Sequence, residues 1–294
     1  MAQSILIIGS DSLIGNTFYH FLKVSGLQTF ASTRRLEQIN NDKYYFDLTD
    51  PLSKLVLPEG TDVAVICAGI TNIESCMIDP EKTAYINVIK TIELIEYLVN
   101  KNIFVIYIST NQVFDGSFPH CPPDTPYSAI TEYGRQKTVV ESKISKMGKS
   151  VAIIRLTKII ESNFTLFVRW KNDLIQGKTI TPYSDLNFSP LPLNLITSCL
   201  KLVIDSKLSG VIQISGEQDL SYAKAAYIAA EILRINSNRV QPTQAPKSSI
   251  KYGKNYTTLC IDRLLKVLGI RPPDVQWTVR NAFNQIKCIT DSTK

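Results

Sequence analysis

Residues 103–116 read IFVIYISTNQVFDG, and this stretch decides the fold expected for the whole chain. The apolar run at 103–108 is typical of a strand that is buried on both faces of a parallel sheet. Ser109 and Thr110 follow at the carboxyl end of that strand, where open α/β sheets bind ligands. The sequence therefore predicts a ligand site directly after residue 108.

A Tyr-x-x-x-Lys pair, Tyr133 and Lys137, follows this strand. On a helix, residues four apart share one face. The same spacing recurs after Tyr19 and after Tyr97, where ordinary amphipathic helices are expected. Because only Tyr133 follows a buried strand that ends in two hydroxyl residues, it is the candidate for catalysis.

The chemistry expected of this pair is proton transfer. A neighbouring ammonium favours the phenolate, so Lys137 is expected to lower the pKa of Tyr133. A hydroxyl from Ser109 or Thr110 would bond the same substrate oxygen. Such a set moves a proton to or from a carbonyl or alcohol while a cofactor moves hydride.

Composition narrows the class of protein. The 294 residues suggest one large domain or two closely joined domains. The chain is 44% hydrophobic and 20% charged, with a net charge of +6, and it has no basic tract with interleaved aromatic residues. We therefore expect neither nucleic-acid binding nor membrane insertion. The expected location is the cytoplasm. The six cysteines form no C-x-x-C motif, so we expect free thiols and no metal site.

The amino terminus predicts a phosphate-binding turn. Residues 4–9 are expected to form a buried strand, and a helix follows the glycine-containing segment Gly9 to Gly15. Backbone N–H groups at such a helix start bind a pyrophosphate, and glycine permits its close approach. Ser12 stands where a middle glycine is more usual, which weakens the pattern.

The next strand end indicates which cofactor is bound. Residues 27–32 are expected to form a strand, and Arg34 and Arg35 follow it with no acidic residue before Glu37. Arginine at this place accommodates a 2′-phosphate, so the sequence favours NADP(H), with NAD(H) as the alternative. The competing interpretation is a solvated basic turn.

Further cofactor and substrate contacts are expected at later strand ends. Asp47 and Leu48 are expected to contact the adenine, and Ala68 and Gly69, after a strand at 62–67, would leave room for the cofactor. Residues 71–74 would project towards the substrate.

Strands and helices alternate five or six times up to a sixth strand at 151–156, which predicts a doubly wound parallel sheet. One helix is expected from Asp79 to about Asn100, containing Asn87 either exposed or bonded to backbone. Later elements are expected as helices at 163–176, 196–206, 222–234 and 259–268, a strand at 210–216, a loop at 185–193 and a long connection at 236–254. The predicted domains are 1–157, with a returning segment at about 190–216, and a smaller, interleaved substrate-binding lobe at 158–294.

Several of these stretches together resemble the extended short-chain dehydrogenase/reductases, in particular the dTDP-4-dehydrorhamnose reductase group. The similar segments are residues 109–116, 133–137, 47–50, 84–88 and 188–191. The resemblance extends from Ile5 to about Trp277. It implies a Rossmann-type fold and an NADPH-dependent reduction of a 4-keto group on a nucleotide-linked deoxysugar.

The resemblance also implies roles for individual residues. Tyr133 would donate the proton, Lys137 would tune Tyr133 and hold the nicotinamide ribose, and Thr110 would bond the substrate carbonyl. The expected cofactor contacts are Gly9, Ser12, Leu13, Ile14, Gly15, Arg34, Arg35, Asp47, Leu48, Ala68, Gly69, Ser109, Tyr133 and Lys137. The expected substrate contacts are Thr71, Ile73, Thr110, Gln112 and Tyr133.

Two departures from the group concern the substrate. Gln112 replaces a tyrosine expected near the sugar, and Lys158 stands where an aromatic residue is often found. These changes leave hydride transfer intact but make the rhamnose precursor itself doubtful as the substrate. The sugar, the nucleotide and the oligomeric state stay open, a homodimer included.

Two alternative functions remain after this reading. One is an epimerase or dehydratase of the same fold, although a dehydratase would need an acid where Asn111 stands. The other is a regulatory protein, because the regulatory subunit of methionine adenosyltransferase is a relative of the group. An intact Thr110, Tyr133 and Lys137 permits catalysis without proving it.

Overall fold

The computed structural model describes residues 3–246 and 255–286. These residues form two compact units that are interleaved in sequence. The first contains the chain up to 114, then 126–156 and 196–213, and the second contains 115–125, 157–195 and the chain from 214 onward. No pattern in the sequence indicated that residues 115–125 belong to the second unit.

The first unit is built on a seven-stranded sheet in the order β3-β2-β1-β4-β5-β6-β10. Its strands are β1 Ser4–Ile8, β2 Gln28–Thr33, β3 Lys43–Tyr45, β4 Thr61–Ile66, β5 Phe104–Thr110, β6 Val151–Leu156 and β10 Gly210–Ile214. Neighbouring strands from β1 to β6 pair in parallel. The order of these six strands is that of a Rossmann sheet, and it reverses between β1 and β4. The prediction of a Rossmann-type doubly wound sheet is confirmed.

Burial explains why these strands could be recognised. Every residue of β1 and of β6 is buried, and β5 is buried at six of its seven positions. Strands covered on both faces need apolar residues at consecutive positions rather than at alternate ones. Arg155 in β6 is the exception, since a charged side chain there is 1% exposed.

The helices begin at capping side chains where the sequence supplies them. They are α1 Leu13–Val24, α2 Ile73–Ile78, α3 Pro80–Ala84, α4 Thr91–Asn100, α5 Glu132–Ile144, α6 Thr165–Ile175, α7 Leu193–Ser206 and α8 Tyr222–Ile232, then Asp262–Lys266 and Val275–Gln285. Ser12 accepts a hydrogen bond from the Gly15 amide at the start of α1, and Thr131 accepts one from Gly134 at the start of α5. Such caps satisfy amides that the first turn of a helix leaves unpaired.

The single helix expected from Asp79 to Asn100 is wrong in detail. A π-helical turn, Tyr85–Lys90, separates α3 from α4. A π turn holds one residue more than an α turn and is frequently found at functional sites. Here it contains the buried Asn87, whose hydrogen bonds to Ile70 offset the cost of the irregular backbone.

The second unit has small sheets and an aromatic core. Its strands are β7 Lys158–Ile159, β8 Asn187–Phe188, β9 Pro190–Leu191 and β11 Leu220–Ser221, where β7 pairs with β9 and β8 pairs with β11. The Phe167 ring lies 4.3 Å from that of Phe283 and 5.7 Å from that of Trp170, between ring centroids. The expected loop at 185–193 thus contains two short strands, because its backbone pairs with neighbouring segments.

Other differences concern short or late elements. The helix expected at 259–268 is limited to Asp262–Lys266, and α2 and Val275–Gln285 had not been predicted. Part of the predicted connection at 236–254 lies outside the described residues, as does Cys288. None of the helices within 3–246 and 255–286 is long and apolar enough to cross a membrane.

Candidate active site

The glycine turn after β1 touches the turn after β4. Gly9 has a φ of +92°, and a Cβ on it would lie 2.6 Å from the Ala68 nitrogen. Such a φ is strained for any other residue, and such a distance excludes a side chain. The amides of Cys67 and Ala68 both donate to the Ile8 carbonyl, at 2.9 and 3.0 Å. The two turns therefore form one wall at the point where the strand order reverses.

A cleft of about 420 Å³ opens along this wall, at the carboxyl ends of β1, β2 and β4. Its lining includes nine residues that the sequence assigned to cofactor or substrate: Gly9, Ser12, Leu13, Arg34, Asp47, Leu48, Ala68, Gly69 and Thr71. The other lining residues are Ile8, Asp11, Ser32, Thr33, Phe46, Thr49, Cys67, Ile70 and Ile86. The position at the switch point of the sheet is where doubly wound folds hold dinucleotides.

The start of α1 forms one part of the cleft. Ser12 caps the helix by accepting from Gly15, at 3.1 Å. Leu13 and Ile14 are the first two helical residues, whose amides have no intrahelical acceptor. Free amides and the helix dipole favour an anion here. Ser12 therefore fits this turn, although a glycine is more usual at its position. Ile14 and Gly15 do not line the cleft.

Arg34 lines the cleft just after the end of β2, and it contacts two carboxylates. Its guanidinium lies 3.6 Å from the Asp47 carboxylate, and its amide donates to Asp11 at 2.8 Å. Partial burial opposes ionisation of Asp47, but hydrogen bonds from Thr49 and the charge of Arg34 hold its pKa below the usual value. Arg35 does not line the cleft, and its guanidinium is 4.0 Å from Asp11.

Asp11 was missed by the sequence reasoning. Besides the Arg34 amide it accepts from the Thr33 hydroxyl at 2.7 Å, so it ties the glycine turn to the end of β2. Its place two residues after Gly9, inside the turn, was the available signal.

Tyr133 and Lys137 lie on α5 as the spacing predicted, and both are buried. The Lys137 Nζ donates to the Ile108 carbonyl at 2.9 Å and lies over the Tyr107 and Tyr133 rings, 4.4 and 5.8 Å from their centroids. The Tyr133 hydroxyl has no hydrogen-bond partner within the part of the chain that the structure describes. It is therefore free to bond a ligand.

The expected effect of Lys137 on the pKa of Tyr133 is wrong for the ligand-free protein. Burial raises the pKa of Tyr133 well above its usual value, with a smaller contribution from Cys76. Burial lowers the pKa of Lys137 to about 8, opposed by the charge of Glu141. Desolvation disfavours both charged forms, and it is the largest cause of each shift in pKa.

A second close approach seats α5 against the end of β5. A Cβ on Gly134 would lie 2.2 Å from the Gln112 carbonyl oxygen, so only glycine fits. Thr110 accepts from the Gln112 amide at 3.2 Å, and the Gln112 Oε1 is buried without a partner among the described residues. Thr110, Gln112 and Tyr133 are thereby held on neighbouring segments.

The Ser109 hydroxyl was expected to contact the cofactor or the substrate oxygen, but it bonds another side chain of the protein. Its hydroxyl forms a short hydrogen bond with the buried Glu141 carboxylate. Glu141 also accepts from Tyr127 at 3.1 Å and pairs with Arg155 at 2.7 Å, with side chains 0% and 2% exposed. The Ser109 side chain is thus part of a structural ion-pair network, and it does not line the cleft.

The catalytic candidates do not line the cleft. The lining of the cleft does not include Thr110, Gln112, Tyr133 or Lys137. It also lacks Ile73, the first residue of α2. Cys67, which lines the cleft, interacts electrostatically with Lys137. The first unit therefore contains a cleft at the switch point of its sheet and a buried Tyr-Lys pair, whose lysine interacts with the cleft residue Cys67.

A family model described as RmlD substrate binding domain matches residues 3–288. A Haloferax volcanii protein described as a probable low-salt glycan biosynthesis reductase, Agl14, is 25% identical over 223 residues, 72% of this chain and 74% of that protein. The mouse methionine adenosyltransferase 2 subunit beta is 22% identical over 92% of this chain and 83% of its own.

The fold is shared with a solved dTDP-4-dehydrorhamnose reductase from Bacillus anthracis, which is in complex with NADP. The TM-score is 0.81 with 18% identity, and the match covers 97% of this chain and 98% of that one. The predicted nicotinamide cofactor agrees with the ligand of that structure.

Proposed function

Since the chain belongs to the RmlD substrate binding domain family, we propose that it is an NADPH-dependent reductase acting on the 4-keto group of a nucleotide-linked deoxysugar. The observation that carries the proposal is the cleft at the switch point of the sheet with Tyr133 and Lys137 beside it. We assign cofactor binding to the first unit and sugar binding to the lobe predicted at 158–294.

The residues of the cleft suit a dinucleotide. The α1 amides of Leu13 and Ile14 would hold the pyrophosphate, and the turn at Gly9 leaves space for it. Phe46 and Leu48 provide an apolar surface for the adenine beside the Asp47 carboxylate. When bound, the nicotinamide cofactor supplies the hydride.

The residues of this chain supply the proton and the charge. Because the Tyr133 hydroxyl stays protonated at neutral pH and has no partner among the described residues, it can donate to a ketone oxygen. The Lys137 ammonium, held by the Ile108 carbonyl, would stabilise the phenolate that results. The Thr110 hydroxyl would orient the same oxygen.

The test is NADPH consumption with a panel of nucleotide-linked 4-keto-6-deoxy sugars. Consumption by the wild-type protein establishes a reductase, and the preferred sugar identifies the substrate. Consumption of none of them, with tight NADPH binding, would contradict the proposal for this panel.

A regulatory role is the second candidate, supported by the likeness to methionine adenosyltransferase 2 subunit beta. This role requires cofactor binding and a protein partner but no turnover. Tight NADPH binding together with capture of a catalytic partner, and no reduction of any sugar, would favour it.

Removing the Arg34 side chain is expected to weaken NADPH binding about tenfold and NADH binding very little. A charged hydrogen bond to a 2′-phosphate contributes about 1.5–3 kcal/mol to binding, and Asp47 competes with the phosphate for Arg34. The measurement is the Kd of Arg34→Ala for both cofactors. Arg35→Ala is the matched variant and should change both constants less, since Arg35 does not line the cleft. Equal losses of NADPH and NADH affinity in Arg34→Ala would remove the 2′-phosphate argument.

Turnover is expected to fall as pH rises above about 8, because the buried Lys137, whose pKa is lowered to about 8, then loses its charge. Tyr133 does not explain such a fall, since burial raises its pKa. The groups that act on Lys137 are Glu141, Cys67 and Cys76. The measurement is kcat/KM between about pH 6 and pH 10.

Lys137→Arg is the control for this profile, because guanidinium stays charged throughout that range. Whatever activity this variant retains should lack the decline near pH 8. An unchanged decline would assign it to another group.

A further inference from the structure

Asn87 holds the backbone of Ile70 on both sides. Its Oδ1 accepts from the Ile70 amide at 2.7 Å, and its Nδ2 donates to the Ile70 carbonyl at 2.8 Å. Ile70 and the preceding Gly69 line the cleft. Because Asn87 is 3% exposed within the π-helical turn, this double contact fixes the cleft-lining turn to the π-helical turn that precedes α4.

The same amide group of Asn87 also reaches the helix that carries Tyr133 and Lys137. Its Nδ2 donates to the Gln136 Oε1 at 2.8 Å. The Gln136 Nε2 in turn donates to the Thr83 hydroxyl at 2.9 Å, so both ends of the side chain are bonded. Gln136 is 2% exposed and lies one residue before Lys137 and three after Tyr133.

Asn87 and Gln136 form a polar bridge that is almost fully buried. A methionine would fill a similar volume without needing partners, whereas a buried amide must be bonded at both ends to avoid a desolvation penalty. A fully bonded network specifies one relative position of the elements it joins. The elements joined here are the wall of the cleft and the helix with the proton donor.

We propose that Gln136 is a positioning residue, which acts through Asn87 to fix α5, with Tyr133 and Lys137, against the cleft wall at Gly69 and Ile70. The inference rests on the proposed reduction, in which proton donor and hydride donor must reach one carbonyl group together. Misplacement of such groups by about 1 Å costs on the order of a hundredfold in rate. Gln136 would thus affect turnover without touching cofactor or substrate.

The decisive variant is Gln136→Met, which keeps the volume of the side chain and removes its hydrogen bonds with Asn87, Thr83, Glu132 and Pro80. We expect kcat to fall about 10- to 100-fold, while the Kd for NADPH stays within about threefold because the glycine turn and Arg34 are unchanged. With NADPH deuterated at the transferred position, the isotope effect on kcat should rise as hydride transfer becomes limiting.

Two further variants separate positioning from stability. Gln285→Met makes the same change on an exposed helical position and should leave kcat and the isotope effect as in the wild type. Thr83→Val removes the hydrogen bond from the Gln136 Nε2 to the Thr83 hydroxyl and keeps the bond between Gln136 and Asn87, so its kcat should lie between those of the wild type and Gln136→Met.

The outcomes distinguish this inference from the proposed function. In Gln136→Met, kcat could fall only as much as the fraction of the protein that binds NADPH, with an unchanged isotope effect. This result would indicate a merely structural role, and it would overturn the inference but not the proposed function. Unchanged kinetics also overturns it. A wild-type protein that reduces no sugar overturns the proposed function, and the inference with it.

Discussion

Tyr133→Phe is expected to reduce turnover by about 10²- to 10⁴-fold while NADPH binding is retained. The variant keeps the buried ring that lies near the Lys137 ammonium and removes only the hydroxyl. That hydroxyl has no hydrogen-bond partner in residues 3–246 and 255–286, so its loss leaves no buried group unpaired. A loss of turnover would therefore report proton donation rather than damage to the fold.

The measurement is steady-state NADPH oxidation with the preferred sugar, together with the Kd for NADPH. Tyr97→Phe is the matched control, because Tyr97 has a lysine four residues later, Lys101, whose Nζ lies 5.7 Å from its ring centroid. This variant should retain full activity. Wild-type turnover in Tyr133→Phe would show that another group donates the proton.

Glu141→Gln is expected to destabilise the fold by about 3–5 kcal/mol. The change keeps the size of the side chain but removes the negative charge that pairs with the Arg155 guanidinium at 2.7 Å, where the two side chains are 0% and 2% exposed. Arg155 would keep its polar contact with Gln213 at 3.2 Å and its position over the Phe114 ring, neither of which carries a charge. Removing one partner of a buried ion pair is costly because water does not take its place beside the remaining charge.

The measurement is the urea midpoint of unfolding at neutral pH. Glu231→Gln is a close control, because Glu231 pairs with Arg280 at the same 2.7 Å but in an exposed position, where an ion pair contributes little. The midpoint of Glu231→Gln should stay near that of the wild type. If the two variants had similar midpoints, the buried pair would not be an important source of stability.

The sequence predicted those features that depend on the pattern of residues within one strand, helix or turn. Consecutive apolar residues identified β1, β5 and β6, because a parallel strand buried on both faces needs them. Nine of the residues proposed from turns and motifs line the cleft, since the carboxyl ends of parallel strands meet at one edge of the sheet. These contacts with a cofactor stay predictions.

The parts that sequence reasoning missed depend on pairs from different elements. Arg155 could be placed in β6, but its partner Glu141 comes from α5, and no local pattern joins them. The same pairing occupies Ser109, which the motif alone offers as a ligand contact. The rise in the pKa of Tyr133 likewise results from burial, which the four-residue spacing to Lys137 does not report.

The position of β10 bears on how the protein can be divided. This strand, from late in the chain, lies at the edge of the sheet beside β6. A fragment ending at residue 157 would lack it, and β6 would become an open edge of six residues that are all buried in the intact chain. Unpaired, apolar edge strands recruit other chains and aggregate. The nucleotide-binding half is thus continuous in space but not in sequence, and a soluble minimal version would need the segment 196–213 linked back to it.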